Sequence, residues 1–180
     1  MKKIAAVAIV SALFFPNLFA VDLPKAAQGF TWQEIPELKV ALLKPDGWFF
    51  KREESKGTLA YFITREDLGQ TSEFETGLTV NVFHLKKDLA AERGRLLIEN
   101  MAAEKHGKVW NRAVGSFQEF GSQLQDTDAS GSTIMQALAI ANPKTNTLYL
   151  FIFESPAANW DSAWQLGKQI MDNLTIDGDI

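Results

Sequence analysis

Hydrophobic residues recur along this chain at two spacings, and each spacing names a kind of element. Alternation at every second position marks strands. Phe30-Thr31-Trp32 and Lys39 to Leu43 are short extended pieces separated by Pro36, after a loose lead-in from Val21 to Gly29. Trp48 to Glu53 and Thr58 to Arg65 follow as strands joined through Ser55-Lys56-Gly57, and Gly77 to Leu85 is a strand of β-branched and aromatic character. Lys44-Pro45-Asp46-Gly47 is a turn, with Pro setting φ at its second position and Gly permitting a positive φ at its end. Gly69 to Thr76 is polar and reads as a loop. Val109 to Val114 is strand-like, and a weakly patterned stretch follows it. Thr133 to Ala141 and Thr147 to Glu154 form the clearest pair, a hairpin around Asn142-Pro143-Lys144-Thr145-Asn146.

Two segments carry the helical spacing. Ala90, Gly94, Leu97, Ile98, Met101 and Ala102 fall on one face, with Asp88 as the expected N-cap and Glu92 near the positive end of the dipole. Lys105 and His106 in the last turn, then Gly107, supply the expected C-terminal chemistry. Farther on, Trp160, Ala163, Trp164, Gly167, Ile170, Met171 and Leu174 form an amphipathic stripe, with Ser155 as cap and Pro156 at the first position. Gly167 is central on that stripe, where a missing side chain lets the helix approach a sheet closely.

The order is therefore strands, helix, strands, helix, with short connections that favour antiparallel pairing. The Thr58–Arg65 and Thr147–Glu154 strands carry apolar bulk on both faces, so the sheet must be covered twice. The two helices can cover one face. The other falls to the N-terminal segment or to a loop such as Phe117 to Phe120.

The first twenty residues follow neither spacing. Lys2 and Lys3 precede twelve uncharged residues, Ile4 to Phe15, broken by Pro16 and Asn17. This is the n-, h- and cleavage-region order of a secretory signal peptide, with the cut expected between Ala20 and Val21. The run is short of the ~20 residues a spanning helix needs. Export into a bacterial periplasm is the expectation; secretion or anchoring by an uncleaved leader is the alternative.

Composition narrows the chemistry. The chain has no cysteine, which excludes disulfides, thiol nucleophiles, thiolate metal sites and a lipid anchor on cysteine. Residues 21–180 suffice for one domain. Loss of Lys2 and Lys3 takes the formal charge from −4 to −6, which argues against nucleic acid and anionic lipid as partners. Neither a G-x-S-x-G elbow, an S-x-x-K nor a phosphate-cradling glycine loop is present. His84, beside Lys86 and Lys87, and His106, at a helix end, lack metal-ligand spacing. Asp172, Asp177 and Asp179 do not fit a calcium loop and read as a solvated acidic tail. Glu53-Glu54 and Glu73 with Glu75 are carboxylate pairs of the type a glycosidase uses, but sequence alone does not bring them face to face. Asn173-Leu174-Thr175 matches a glycosylation sequon, yet Leu174 belongs to the apolar stripe. Trp48, Trp160 and Trp164 read as core. Trp32 and Trp110 are free to join an exposed patch.

Three stretches resemble a known family: Lys44-Pro45-Asp46-Gly47-Trp48 before a strand, Phe74-Glu75-Thr76-Gly77-Leu78-Thr79-Val80 opening one, and Leu148 to Pro156 running into the Trp160–Leu174 helix. Together they resemble the PsbP-like superfamily, which includes the photosystem II extrinsic protein, DcrB-type envelope proteins and a Ran-binding import factor. The likeness covers roughly residues 30–176. It implies an α+β fold, an antiparallel sheet flanked by helices in an α/β/α sandwich. The expected organisation is a leader (1–20), a lead-in (21–29), one domain (30–176) and an acidic tail (177–180). It also implies a non-catalytic accessory or binding protein without a cofactor, acting through a surface or groove on a protein or small-molecule partner in the envelope. After leader removal no membrane insertion is expected. An envelope hydrolase with an unrecognised carboxylate site is the alternative.

Overall fold

The computed structural model describes residues 23–55, 58–71, 73–86, 88–129 and 131–177. In chain order the elements are β1 (Phe30–Ile35), β2 (Val40–Pro45), β3 (Phe49–Ser55), β4 (Thr58–Thr64), β5 (Gly77–His84), α1 (Ala90–Glu104), β6 (Lys108–Val114), β7 (Phe117–Asp128), β8 (Gly131–Asn142), β9 (Thr147–Pro156), α2 (Trp160–Asp172) and β10 (Thr175–Ile176). Strands β3-β4-β5-β9-β8-β7-β6 form a seven-stranded sheet, and β1-β2-β10 a three-stranded one. Every pairing is antiparallel. This is the expected α+β architecture.

Strand β9 shows why the large sheet is covered twice. Its odd positions, Tyr149, Phe151 and Phe153, join one core with Leu138, Ile140, Trp160, Ala163 and Ile170. Its even positions, Leu148, Leu150 and Ile152, join a second core with Ala137, Ala139, Ala141 and Ile98. The helices therefore lie on opposite faces, which corrects the expectation that both cover one. On the α2 face the N-terminal segment shares the work: Ile35, Leu38, Val40 and Leu42 enter the same core. On the α1 face the remaining sheet is covered by the 65–76 loop, where Phe74 meets Phe62 edge-on at 6.1 Å and Leu68 is buried.

Close approach uses small residues. A Cβ on Gly167 would stand 2.7 Å from the Phe153 ring, so the expected role of this glycine holds. Phe153 is also sandwiched by Trp48, Trp160 and Trp164, which are core as expected.

Several local readings are corrected. Phe117 to Phe120 is no loop but the start of β7, a twelve-residue strand in the weakly patterned stretch. Polar Gln118, Gln123 and Gln125 and small Gly121 and Ser122 hide its alternation, because one of its neighbours is an exposed edge strand. The α1 cap is not Asp88. Asn146 Oδ1 accepts from the Leu89 and Ala90 N–H groups at 2.9 and 3.0 Å, while its Nδ2 donates to the Leu85 carbonyl. At the far end His106, not Gly107, takes the left-handed conformation (φ +55°). Gly107 is needed instead for closeness, since its Cβ would lie 2.5 Å from Ser122 Oγ. Ser155 does not cap α2: it is buried in β9, 3.0 Å from Thr76 Oγ1, and α2 starts five residues later at Trp160. In the Lys44–Gly47 turn the Trp48 N–H closes on the Pro45 carbonyl, so Pro45 stands first rather than second.

Candidate functional site

A cleft with both apolar and charged walls lies on the α2 face, near the β6 edge. Strand β6 pairs with β7 so that Arg112 stands opposite Glu119 and Trp110 opposite Gly121. All four point to the α2 side, in the rows that continue through Ile140 and Leu138 of β8. The end of α2 and the short β10 do not reach across these rows. What remains is an open cleft of about 430 Å³, with Val114, Phe117, Leu138, Ile140, Met171, Leu174 and Ile176 as apolar wall.

Glu119 is a carboxylate in that wall, only 7% exposed. It is neutralised by Arg112, whose Nε lies 2.5 Å from Glu119 Oε2. A buried carboxylate without a partner would be costly, so this pair fixes where the guanidinium sits. The Arg112 guanidinium also lies 5.5 Å from the centre of the Trp110 ring. Trp110 in turn leans over Gly121, where a Cβ would fall 2.2 Å from the ring. The result is a shelf of indole, guanidinium and carboxylate beside an apolar cleft. Asp172, paired with Lys168, stands on the opposite rim.

Of the two tryptophans free to join a patch, Trp110 is on this shelf and 38% exposed. Trp32 is in the other sheet, half-buried, and its Nε1 donates to the Pro24 carbonyl at 2.7 Å. The fold does not make one patch of them. Sequence reading passed over Arg112 and Glu119. The signal that could have found them is the alternation of Trp110, Arg112 and Val114 facing Phe117, Glu119 and Gly121 across a Gly-Ser turn.

A second region gathers carboxylates. Glu53 and Glu73 line a pocket of about 350 Å³ with Glu154, Phe62, Leu68 and Phe74. Glu75 lines a neighbouring one of about 640 Å³, again with Glu154. Burial pushes the Glu154 carboxyl above its ordinary range. Glu53 is held by Lys51 at 2.6 Å and Glu54 by Arg52 at 3.6 Å. Glu154 was not singled out by sequence, because it reads as the last residue of a strand.

The remaining candidates are dispersed. His84 is exposed at the end of β5, 3.3 Å from Thr147 Oγ1, and His106 is exposed beyond α1. Among the described residues no three His, Asp or Glu side chains are grouped to hold a metal ion. The Asp177 N–H donates to the Lys39 carbonyl; Asp179, Ala20 and Val21 lie outside the described residues. No helix among the described residues is long and apolar enough to cross a membrane.

Comparison with solved structures places this architecture. The Ran-binding protein Mog1p of Saccharomyces cerevisiae is 12% identical, with 82% of this chain and 95% of that one aligned and a TM-score of 0.53. Cyanobacterial PsbP from Synechocystis is 13% identical, with 85% and 95% aligned and a TM-score of 0.52. The chain has the PsbP-like fold. At these identities the likeness concerns the fold, and it spans nearly the whole of both neighbours. No family model matches the sequence, and no curated protein does.

Proposed function

We propose that this PsbP-like protein is a non-catalytic binding or accessory factor, exported by the 1–20 leader, cut between Ala20 and Val21, and active in the periplasm. The observation that carries the reading is the cleft beside β6. It joins an apolar wall of seven side chains to a buried carboxylate, Glu119, held by the exposed Arg112, with the exposed Trp110 indole beside it. Binding sites combine those ingredients: apolar area for affinity and a few fixed polar groups for orientation. Of two solved neighbours of the same fold, one is a Ran-binding protein and the other a cyanobacterial PsbP. The partner on this reading is an envelope protein or small molecule that seats an apolar group in the cleft.

Photo-crosslinkers placed at Val114 and Leu174, inside the cleft, should capture one discrete envelope partner in cells. A crosslinker at Arg95 on α1 should not. Equal capture from both places, or none from the cleft, would remove the cleft from the reading. Intact mass of periplasmic material should correspond to a start at Val21; full-length protein held in the membrane would refute the cleavage.

The second reading is an envelope hydrolase, favoured by one observation, the desolvated Glu154 beside Glu53, Glu73 and Glu75. Raised carboxyl pKa values in clefts mark acid–base groups often enough to be tested. A hydrolase screen on the purified protein should show nothing above buffer. Turnover abolished by Glu154→Gln, Glu53→Gln or Glu75→Gln would promote the enzyme.

A further inference from the structure

The two edges of the large sheet are built differently. Strand β3 at one edge carries Lys51, Arg52, Glu53 and Glu54 in succession, tied by ion pairs. That is the usual protection of an edge against pairing with another chain. Strand β6 at the other edge has no such run. All seven of its residues are exposed, with Val109, Trp110 and Val114 among the most exposed large apolar side chains. It carries no proline and keeps an unbroken register with β7 from Lys108 to Val114.

Its hydrogen-bonding direction follows from the turn. Gly115-Ser116 is a two-residue loop with Gly115 at φ +58°, so Val114 and Phe117 are the closing hydrogen-bonded pair. Lys108, Trp110, Arg112 and Val114 therefore turn their backbone groups toward β7. Ser122 Oγ donating to the Lys108 carbonyl agrees with this. Val109, Asn111 and Ala113 turn theirs outward, where no described strand meets them.

We propose that β6 pairs antiparallel with β6 of a second copy of this chain, with Asn111 on the two-fold axis. In that register the outward groups match: Asn111 exchanges both bonds with its copy, and Val109 does so with the copy's Ala113. On the α2 face Trp110 stands opposite Arg112 of the second copy, and Lys108 opposite Val114. No like charges are directly opposed, and indole meets guanidinium twice. The exposed Val109 and Val114 are covered by the same step. The dimer runs the two sheets into one, with a cleft on each side of the axis. This inference stands whether or not the cleft binds the partner proposed above.

Sedimentation velocity of the purified protein from ~1 to ~200 μM should show a reversible monomer–dimer equilibrium, since one strand of interface gives modest affinity. Asn111→Pro deletes an outward N–H and leaves the β7 ladder intact; it should weaken association by at least ~10-fold, the loss of a central ladder bond and its geometry. Ala113→Lys, on the same outward edge, should do likewise and covers the case in which the proline variant fails to fold. The register has its own test, because the chain contains no cysteine. Asn111→Cys should form a disulfide dimer on mild oxidation, since paired Cα atoms lie ~5.5 Å apart. Trp110→Cys, off the axis, should not. A protein monomeric throughout that range, a dimer indifferent to both edge variants, or cross-linking no faster at 111 than at 110 overturns the proposal.

Discussion

Gly167 and Gly121 both sit where a side chain would collide, yet what they would strike differs. At Gly167 the obstacle is Phe153, ringed by three tryptophans and unable to move. Gly167→Ala should lower stability by ~1–3 kcal/mol, the range for overpacking a core, read as a lower denaturation midpoint. At Gly121 the obstacle is the exposed Trp110 ring, which can swing outward. Gly121→Ala should cost less than ~1 kcal/mol on the same scale and change Trp110 exposure to a fluorescence quencher. Glu154 gives a pH signature. Burial raises its folded pKa above the unfolded one. The folded state then holds that proton more tightly, so its contribution is complete below the unfolded pKa and lost as pH rises through the folded value. Glu154→Gln should therefore raise the unfolding midpoint at neutral pH, and the gain should vanish below about pH 4, under the ordinary Glu value. A gain that persists in acid would point to packing instead of charge.

At the scale of elements, the start of α1 is fixed from outside the helix. Asn146 sits in the β8–β9 hairpin loop at φ +55° and satisfies two α1 N–H groups and the Leu85 carbonyl after β5. One side chain thus ties three elements. Asn146→Ala should cost ~1–2 kcal/mol, the range of a lost cap, whereas Asp88→Ala should stay within ~0.5 kcal/mol. Equal costs would restore Asp88 as the cap. A sequence window around residue 88 cannot show this, because the capping residue is more than fifty positions away. β7 was missed for a related reason. Its Ser122 and Glu119 are polar but buried, satisfied by the Lys108 carbonyl and by Arg112 of the neighbouring strand. Such residues look like loop until the partner strand is known.

The whole molecule is two cores back to back on one sheet. Strands β8 and β9 contribute alternate residues to each, so neither helix can be lost without exposing strands that hold the other. One cooperative transition is expected. Trp48, Trp160 and Trp164 all report on the α2 side, so tryptophan fluorescence and far-UV circular dichroism should give coincident unfolding curves. Separated curves would mean that the α1 side opens by itself.

Local pattern determined the strands with regular alternation, both helix faces, the closeness marked by Gly167 and the core roles of three tryptophans, because each depends on spacing within a few residues. It also carried enough of the order of turns and elements to imply the PsbP-like architecture. Tertiary structure alone decided which face each helix covers, since a two-sided apolar strand is silent about what lies on either side. It decided the helix caps, the strand β7, and the meeting of Arg112 with Glu119 beside Trp110. Those depend on groups brought together across a sheet, and the cleft exists only because α2 and β10 stop short of its edge.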